Sequence, residues 1–241
     1  MPLSRVEEIT GILREEILRG QYRPGERLPS ERDLASRFET NRGAVREAIK
    51  KLEQLGIAEV KPGGVRIVPI EDATLEVLGH LMDLDEMPSP SLVGQLFEVL
   101  GAMLSHSARS AIENATEEQI EHMRSIVKEL RYSAKSQHED HTGWRALGNY
   151  FSEINQNLVL RLIGNGLKTQ FMGRLEAIGL YPQIDKAKDS EYLDMFENAI
   201  QTRDQEAAGN AIIGHFQLLK TGMQKTLEQK QQAQFRSVNN A

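Results

Sequence analysis

Residues 23–48 read Arg23-Pro24-Gly25-Glu26-Arg27-Leu28-Pro29-Ser30-Glu31-Arg32-Asp33-Leu34-Ala35-Ser36-Arg37-Phe38-Glu39-Thr40-Asn41-Arg42-Gly43-Ala44-Val45-Arg46-Glu47-Ala48. Two helix starts are written into this stretch. Ser30 precedes Glu31-Arg32-Asp33, so its hydroxyl can cap a helix that has an acid at its third position. Leu34, Ala35 and Phe38 give that helix an apolar side. Asn41 is a second N-cap and starts the next helix at Arg42. Only Glu39-Thr40-Asn41 lie between the two, the length of a helix-turn-helix connection.

The second helix carries two faces. Val45, Ala48, Ile49, Leu52 and Leu55 recur at i, i+3, i+4, i+7 and i+10 and form one stripe for burial. On the opposite side Arg42, Arg46 and Lys50 stand at i, i+4 and i+8, with Gly43 beside the first. A line of cations running back to a helix N-terminus, whose first N–H groups are unpaired, suits phosphates and guanine edges. Such a stripe alone is ordinary for a solvated face, and the order of the surrounding elements is what points to DNA. Gly56 is a helix stop, and residues 57–60 and 65–68 read as two short strands joined by the turn Lys61-Pro62-Gly63-Gly64. Upstream, Ser4 and Glu7 have capping-box spacing, and Val6, Ile9, Leu13 and Ile17 follow at helical spacing to about Arg19. A helix, a helix-turn-helix and a hairpin make a winged helix.

Over about residues 5–68 this order resembles the GntR family of bacterial transcription factors. The motifs that carry the likeness are Arg23 to Ala35 and Asn41 to Ala48. By that resemblance Arg32, Arg42 and Arg46 take the positions of DNA-contacting arginines, and Gly63 sits at a wing tip that enters the minor groove. Asn41, Gly43 and Lys61 are candidate contacts beside them. Two departures stand out. The family commonly has hydroxyl residues after the first recognition arginine, where this chain has Gly43-Ala44, and its wing commonly carries a Gly-Arg-Gly-Thr-like run. The DNA sequence contacted is therefore expected to differ from the family's common operator.

Composition bounds the remainder. A winged helix uses about 70 of the 241 residues, so a second domain is expected. The chain is 27% charged and 39% hydrophobic, contains no cysteine and has no long apolar run. It therefore reads as a soluble, cytoplasmic protein with no membrane span, no disulfide and no thiolate chemistry. The net charge of −6 at first argues against a polyanionic partner, but it is unevenly spread. Residues 1–70 contain 13 Lys and Arg against 11 Asp and Glu, whereas residues 71–241 hold 16 against 24. The cations concentrate in the candidate DNA module, and the acidic remainder should turn away from DNA.

The expected organisation is a winged helix over 1–70, a linker with a connecting helix over 71–90, an all-helical domain over 91–230 and a disordered Gln- and Asn-rich tail over 231–241. The acids and prolines of residues 83–90 make the best break in the chain. Beyond it the fold class is all-α: helices are expected from Leu92 to about Ile112 and near 117–135, 143–157, 158–178, 187–202 and 204–230. Thr116 and Gln119 form another capping box. Gly164, Gly166 and Gly173 fall inside a helical stretch, where each costs about 1 kcal/mol relative to Ala, so either close helix packing or a ligand near the backbone is implied.

A helical domain behind such a reader resembles the FadR subfamily, whose second domain, of the FCD type, binds effectors and dimerises. Thr116 to Gln119, Arg203 to Ala208 and Ile213-Gly214-His215 carry this looser match. Many members hold a divalent metal through an Asp, a His four residues later and two further His. Aligned residue by residue, those positions fall at Gly148, Ser152, Leu193 or Tyr192, and His215, so one ligand of four is kept and no metal cofactor is expected. The segment from Leu162 to Lys168 resembles the acyl-CoA-responsive, metal-free regulators of the subfamily. By the same resemblance, the arginine found near position 100 in many relatives is replaced by Leu100 or Gly101, which removes one carboxylate clamp. Phe151, Asn165, Gly166 and His215 are the candidate effector contacts, in a cavity expected to be apolar with few polar groups.

The resulting expectation is a homodimeric regulator on a palindromic double-stranded DNA operator, tuned by an acyl-CoA or fatty-acid-like effector. A metal- and organic-acid-sensing regulator and a ligand-free dimerisation module remain as alternatives. An enzyme is disfavoured, because His106, His122, His138, His141 and His215 are not grouped by any nucleophile-base or metal spacing.

Overall fold

The structure is a computed structural model that describes residues 4–85, 87–135 and 142–239. The chain forms two compact units, Met1–Pro88 and Ser89–Ala241.

In the first unit, α1 spans Arg5–Leu18, α2 Glu31–Arg37 and α3 Arg42–Gln54. Each starts where its cap dictates. Ser4 and Glu7 close the capping box, Ser30 Oγ accepts from the Asp33 N–H, and Asn41 Oδ1 accepts from the Ala44 N–H at 2.9 Å. Gly56, at φ 74°, takes the left-handed conformation that ends α3. Strands β1 (Ala58–Lys61) and β2 (Gly64–Ile67) follow in antiparallel register, Lys61 opposite Gly64, which leaves Pro62-Gly63 as a two-residue turn. The core is the meeting of three stripes: Ile9, Leu13 and Ile17 from α1, Leu34, Ala35 and Phe38 at α2, and Val45, Ala48, Ile49, Leu52 and Leu55 at α3. Leu28, Ile57, Val65 and Ile67 close it from the loop and hairpin. Burying aliphatic side chains of this size contributes about 1.5–3 kcal/mol each before the chain-entropy cost. The short α4 (Val77–Met82) adds Val77 to the same core.

The second unit is helical throughout its described residues: α5 (Pro90–Asn114), α6 (Glu117–Lys135), α7 (Thr142–Asn155), α8 (Leu158–Leu167), α9 (Gly173–Ala177), α10 (Lys186–Thr202) and α11 (Gln205–Asn239). Long α5 and α11 lie against each other, with α7 on α5, α10 on α11, and α6 joining α7 and α10. Their approach is close enough that a Cβ on Gly101 would stand 2.7 Å from Phe216 Cβ. Phe151, Phe196, Met123, Ile112 and Ile212 are fully buried between these helices.

Two sequence expectations are revised here. The helix read over 158–178 is interrupted by a π-helical turn, Lys168–Met172, a form that recurs at functional sites. The tail read as disordered from 231 continues α11 to Asn239, because nothing in Gln-rich sequence breaks a helix already under way. Residues 240–241 lie outside the described residues.

Candidate nucleic-acid interface and effector pocket

The cationic face predicted for α3 is assembled as expected and faces outward. Arg42, Gly43, Arg46 and Lys50 are all exposed, while every member of the apolar stripe is buried. Asn41 spends its side-chain oxygen on the helix cap, and a Cβ at Gly43 would crowd that oxygen at 3.0 Å. Arg42 ends without a side-chain partner among the described residues. Arg46 is held differently: its Nε lies 2.8 and 2.9 Å from the two carboxylate oxygens of Glu31, so a residue of α2 aims a side chain of α3. The Glu31 carboxylate raises the Arg46 guanidinium above the usual arginine range. The terminal nitrogens of Arg46 remain available for a bidentate contact. Arg32 projects from α2 with its side chain 79% exposed, 3.7 Å from Asp33.

At the hairpin, Lys61 pairs with Glu59 at 2.7 Å and Gly63 holds φ 99°. An added Cβ at Gly63 would collide with the Arg27 guanidinium. Arg27 bridges Arg66 of β2 through the backbone and is exposed. The cation missing from the wing turn is thus supplied from the segment before α2. Arg27, Glu31 and their roles were not legible from spacing, since both pairs join residues 15 or more apart in the chain.

The second unit contains a pocket of about 450 Å³. Its apolar wall includes Phe97, Leu100, Met103, Leu104, Phe216 and Leu219. Its polar side is richer than the sequence suggested: Asn149, Ser152, Asn165, Arg145, Arg161 and Lys168 all line it, with Glu153. Arg145 pairs with Glu176 at 3.0 Å, whereas Arg161 and Lys168 have no acidic partner among the described residues. Arg161, Asn165 and Lys168 stand at i, i+4 and i+7 on one face of α8 and its π-helical continuation. The place a Cβ of Gly164 would take is open space, so close helix packing does not account for that glycine, which lines the pocket.

His215 and Asn165 are therefore placed in the pocket, and two other sequence candidates are not. Phe151 is fully buried in the helical core against Phe196, and Gly166 does not line the cavity. Phe151 stands between Gly148 and Ser152 in the segment placed on the family's ligand positions, but its ring belongs to the face of α7 that packs into the core. His215 is 2% exposed; its Nδ1 lies 2.6 Å from Asp189 Oδ1, its ring stacks on Trp144 at 4.0 Å, and its Nε2 is buried with no hydrogen-bond partner among the described residues. Asp189 is a residue the sequence reading missed, although it stands one turn before Leu193 on α10. Gly148 and Ser152 line the same pocket, with Leu104 3.1 Å from a Gly148 Cβ and the Ser152 hydroxyl donating to the Gly148 carbonyl at 3.0 Å. Leu193 is buried in the core. Among the described residues no cluster of three or more His, Cys, Asp or Glu is placed to hold a metal ion. His138 and His141 lie outside the described residues.

Residues 5–67 match the gntR family of bacterial regulatory proteins, and residues 95–218, just over half of the chain, match the FCD domain. The chain belongs to the GntR family, in its FadR-like subfamily. The regulator is 29% identical over 192 residues to the uncharacterised HTH-type transcriptional regulator Rv0494 of Mycobacterium tuberculosis, covering 76% of this chain and 75% of the other. It is 26% identical over 227 residues to the HTH-type transcriptional regulator Mce2R of the same species, covering 92% of each. Among solved structures it resembles Lar, described as controlling the expression of the Listeria monocytogenes agr system, with TM-score 0.52 and 17% identity over 93% of this chain and 99% of that one. That likeness shows the fold. The regulator is thus a DNA-binding transcription factor and not an enzyme, with a winged helix-turn-helix reader and a helical FCD domain. No described helix is long and apolar enough to cross a membrane.

Proposed function

We propose that this regulator binds a palindromic operator as a homodimer and that an amphipathic organic acid of the fatty-acid or acyl type, seated in the pocket of the helical unit, sets its operator affinity. The observation that carries the effector class is the division of the pocket: an apolar wall from α5 and α11 faces a polar side on which Arg161 and Lys168 have no acidic partner among the described residues. An apolar wall stabilises a hydrocarbon chain in proportion to the area removed from water, and unpaired cations favour an anionic head. The volume lies inside the usual range of about 300–1,000 Å³ for small-molecule sites. The pocket works without a metal, a reading supported by Gly148, Ser152 and Leu193 at the places where many relatives carry ligands. On DNA, α3 lies in the major groove with Arg42 and Arg46 at base edges, Arg32 and Lys61 serve phosphates, and Gly63 lets the wing tip approach the minor groove.

The test is a titration of labelled operator with the full-length protein, with and without decanoate, after treatment with a chelator. A shift in operator affinity that disappears in Arg161→Gln/Lys168→Gln is expected. An effect seen only when a divalent metal is restored, or none with any acid, would overturn the effector assignment.

A further inference from the structure

We infer that Arg27, laid across Gly63 at the wing tip, reads the minor groove and makes the regulator prefer A·T pairs at the operator positions under the wing. This rests on the wing placement proposed above and supplies the side chain that acts there.

A third strand carries Arg27 to the tip. The Gly25 N–H donates to the Ile67 carbonyl at 2.8 Å, the Ile67 N–H to the Glu26 carbonyl at 2.9 Å and the Leu28 N–H to the Val65 carbonyl at 3.0 Å. Residues 25–28 therefore run antiparallel along β2, with Arg27 directly opposite Arg66. Leu28, Val65 and Ile67 belong to the core, and the strand period of two leaves both arginines on the solvent face. Like charges facing each other across a ladder repel, and the two side chains part. Arg66 turns away from the tip and donates to the Gly25 carbonyl at 2.8 Å. Arg27 lies the other way, over Gly63, so close that a methyl there would meet its guanidinium.

The chemistry of the tip then falls to this one residue. The turn is Lys61-Pro62-Gly63-Gly64, and Lys61 pairs with Glu59 at 2.7 Å. Arg27 is exposed and has no hydrogen-bond or ion-pair partner among the described residues. A guanidinium is less strongly hydrated than an ammonium, so it loses less on entering a narrow groove. A·T-rich minor grooves are narrow and strongly negative, whereas a G·C pair places the guanine 2-amino group in the groove. A wing led by Arg27 therefore discriminates against G·C at base pairs that α3 does not touch.

The experiment uses an operator selected from a random pool by the full-length protein. Hydroxyl-radical footprinting of the wild-type complex locates the minor-groove positions covered outside those read by α3. These positions are made A·T, G·C or I·C in turn, inosine having the major-groove face of guanine without its 2-amino group. In anisotropy titrations wild type is expected to bind the A·T and I·C duplexes closely alike and the G·C duplex about fivefold or more weakly. Arg27→Ala should bind all three alike, and Arg27→Lys, which keeps the charge, should lose most of the preference. No G·C penalty in wild type overturns the inference and leaves the wing placement standing. So does a penalty that survives in Arg27→Ala, which with weaker binding throughout would make Arg27 a phosphate contact. A footprint without flanking minor-groove protection overturns both.

Discussion

The Glu31 carboxylate holds the Nε of Arg46 at 2.8 Å, tying the first turn of α2 to the second turn of α3. An acid beside a DNA-reading arginine would repel phosphate if it acted alone. Here it occupies one edge of the guanidinium and presents the other, so its net effect is orientation. Arg46→Ala is expected to weaken operator binding by about 1–3 kcal/mol. Glu31→Gln should weaken it less, and not at all when Arg46 is already Ala, as read by fluorescence anisotropy. Because exposed ion pairs contribute only about 0–1 kcal/mol, thermal stability should hardly change. Tighter binding by Glu31→Gln would show that Glu31 acts through repulsion instead.

Gly63→Ala should damage the wing for two separable reasons. At φ 99° an L side chain is strained by about 1–3 kcal/mol, and the added methyl meets the Arg27 guanidinium. The double change Gly63→Ala/Arg27→Ala removes the collision and leaves the strain. Melting temperature and operator affinity should therefore recover only in part, and full recovery would show that backbone conformation is irrelevant there.

In the helical unit, two glycines of α5 and α11 should respond oppositely to the same substitution. A Cβ on Gly222 would meet the backbone carbonyl of Gln183, which cannot rotate away, and Gly222→Ala should destabilise by about 1–3 kcal/mol. A Cβ on Gly94 would meet the end of the Gln224 side chain at 2.7 Å, which is free to move. Helix propensity then favours Ala by up to about 1 kcal/mol, so Gly94→Ala should be neutral or stabilising. Denaturant unfolding measures both, and similar losses at the two sites would mean that the helices adjust as a whole.

Acid should loosen the reader through its caps. Hydrogen bonds from Ser4 hold the Glu7 carboxyl below its ordinary 4.5, and the Ser30 hydroxyl holds Asp33 below 3.8. A folded-state value below the unfolded one contributes stability that is present above the unfolded value and is lost as pH falls through the folded one. Melting curves from about pH 6 downward should thus show a loss beginning near the ordinary carboxylate range, and Glu7→Gln/Asp33→Asn should flatten it. An unchanged acid limb in that variant would place the sensitivity elsewhere.

The reader was legible in sequence because its determinants are local. Ser30, Asn41 and Gly56 punctuate helices within a few residues of where they act, and the stripe from Val45 to Leu55 announces its own burial. The pocket was legible only in outline. His215 could be placed by its motif, but its partner Asp189 lies 26 residues away and its stacking partner Trp144 on another helix. Phe151 and His215 look alike as polar or aromatic residues near a predicted site, and only packing separates core from cavity. Arg161 and Lys168 share a helical face in the sequence as well, yet which face is lined by empty space is decided by α5 and α11.

The most direct test of the central claim is selection of bound duplexes from a random pool by the full-length protein, followed by anisotropy titration of the winner with wild type and Arg42→Ala at several salt concentrations. The account predicts a palindromic winner, affinity that falls steeply with salt, and a loss of about tenfold or more in Arg42→Ala. A pool that never enriches, or a winner that Arg42→Ala binds as tightly as wild type, would contradict the reading of α3 as the DNA-contacting helix.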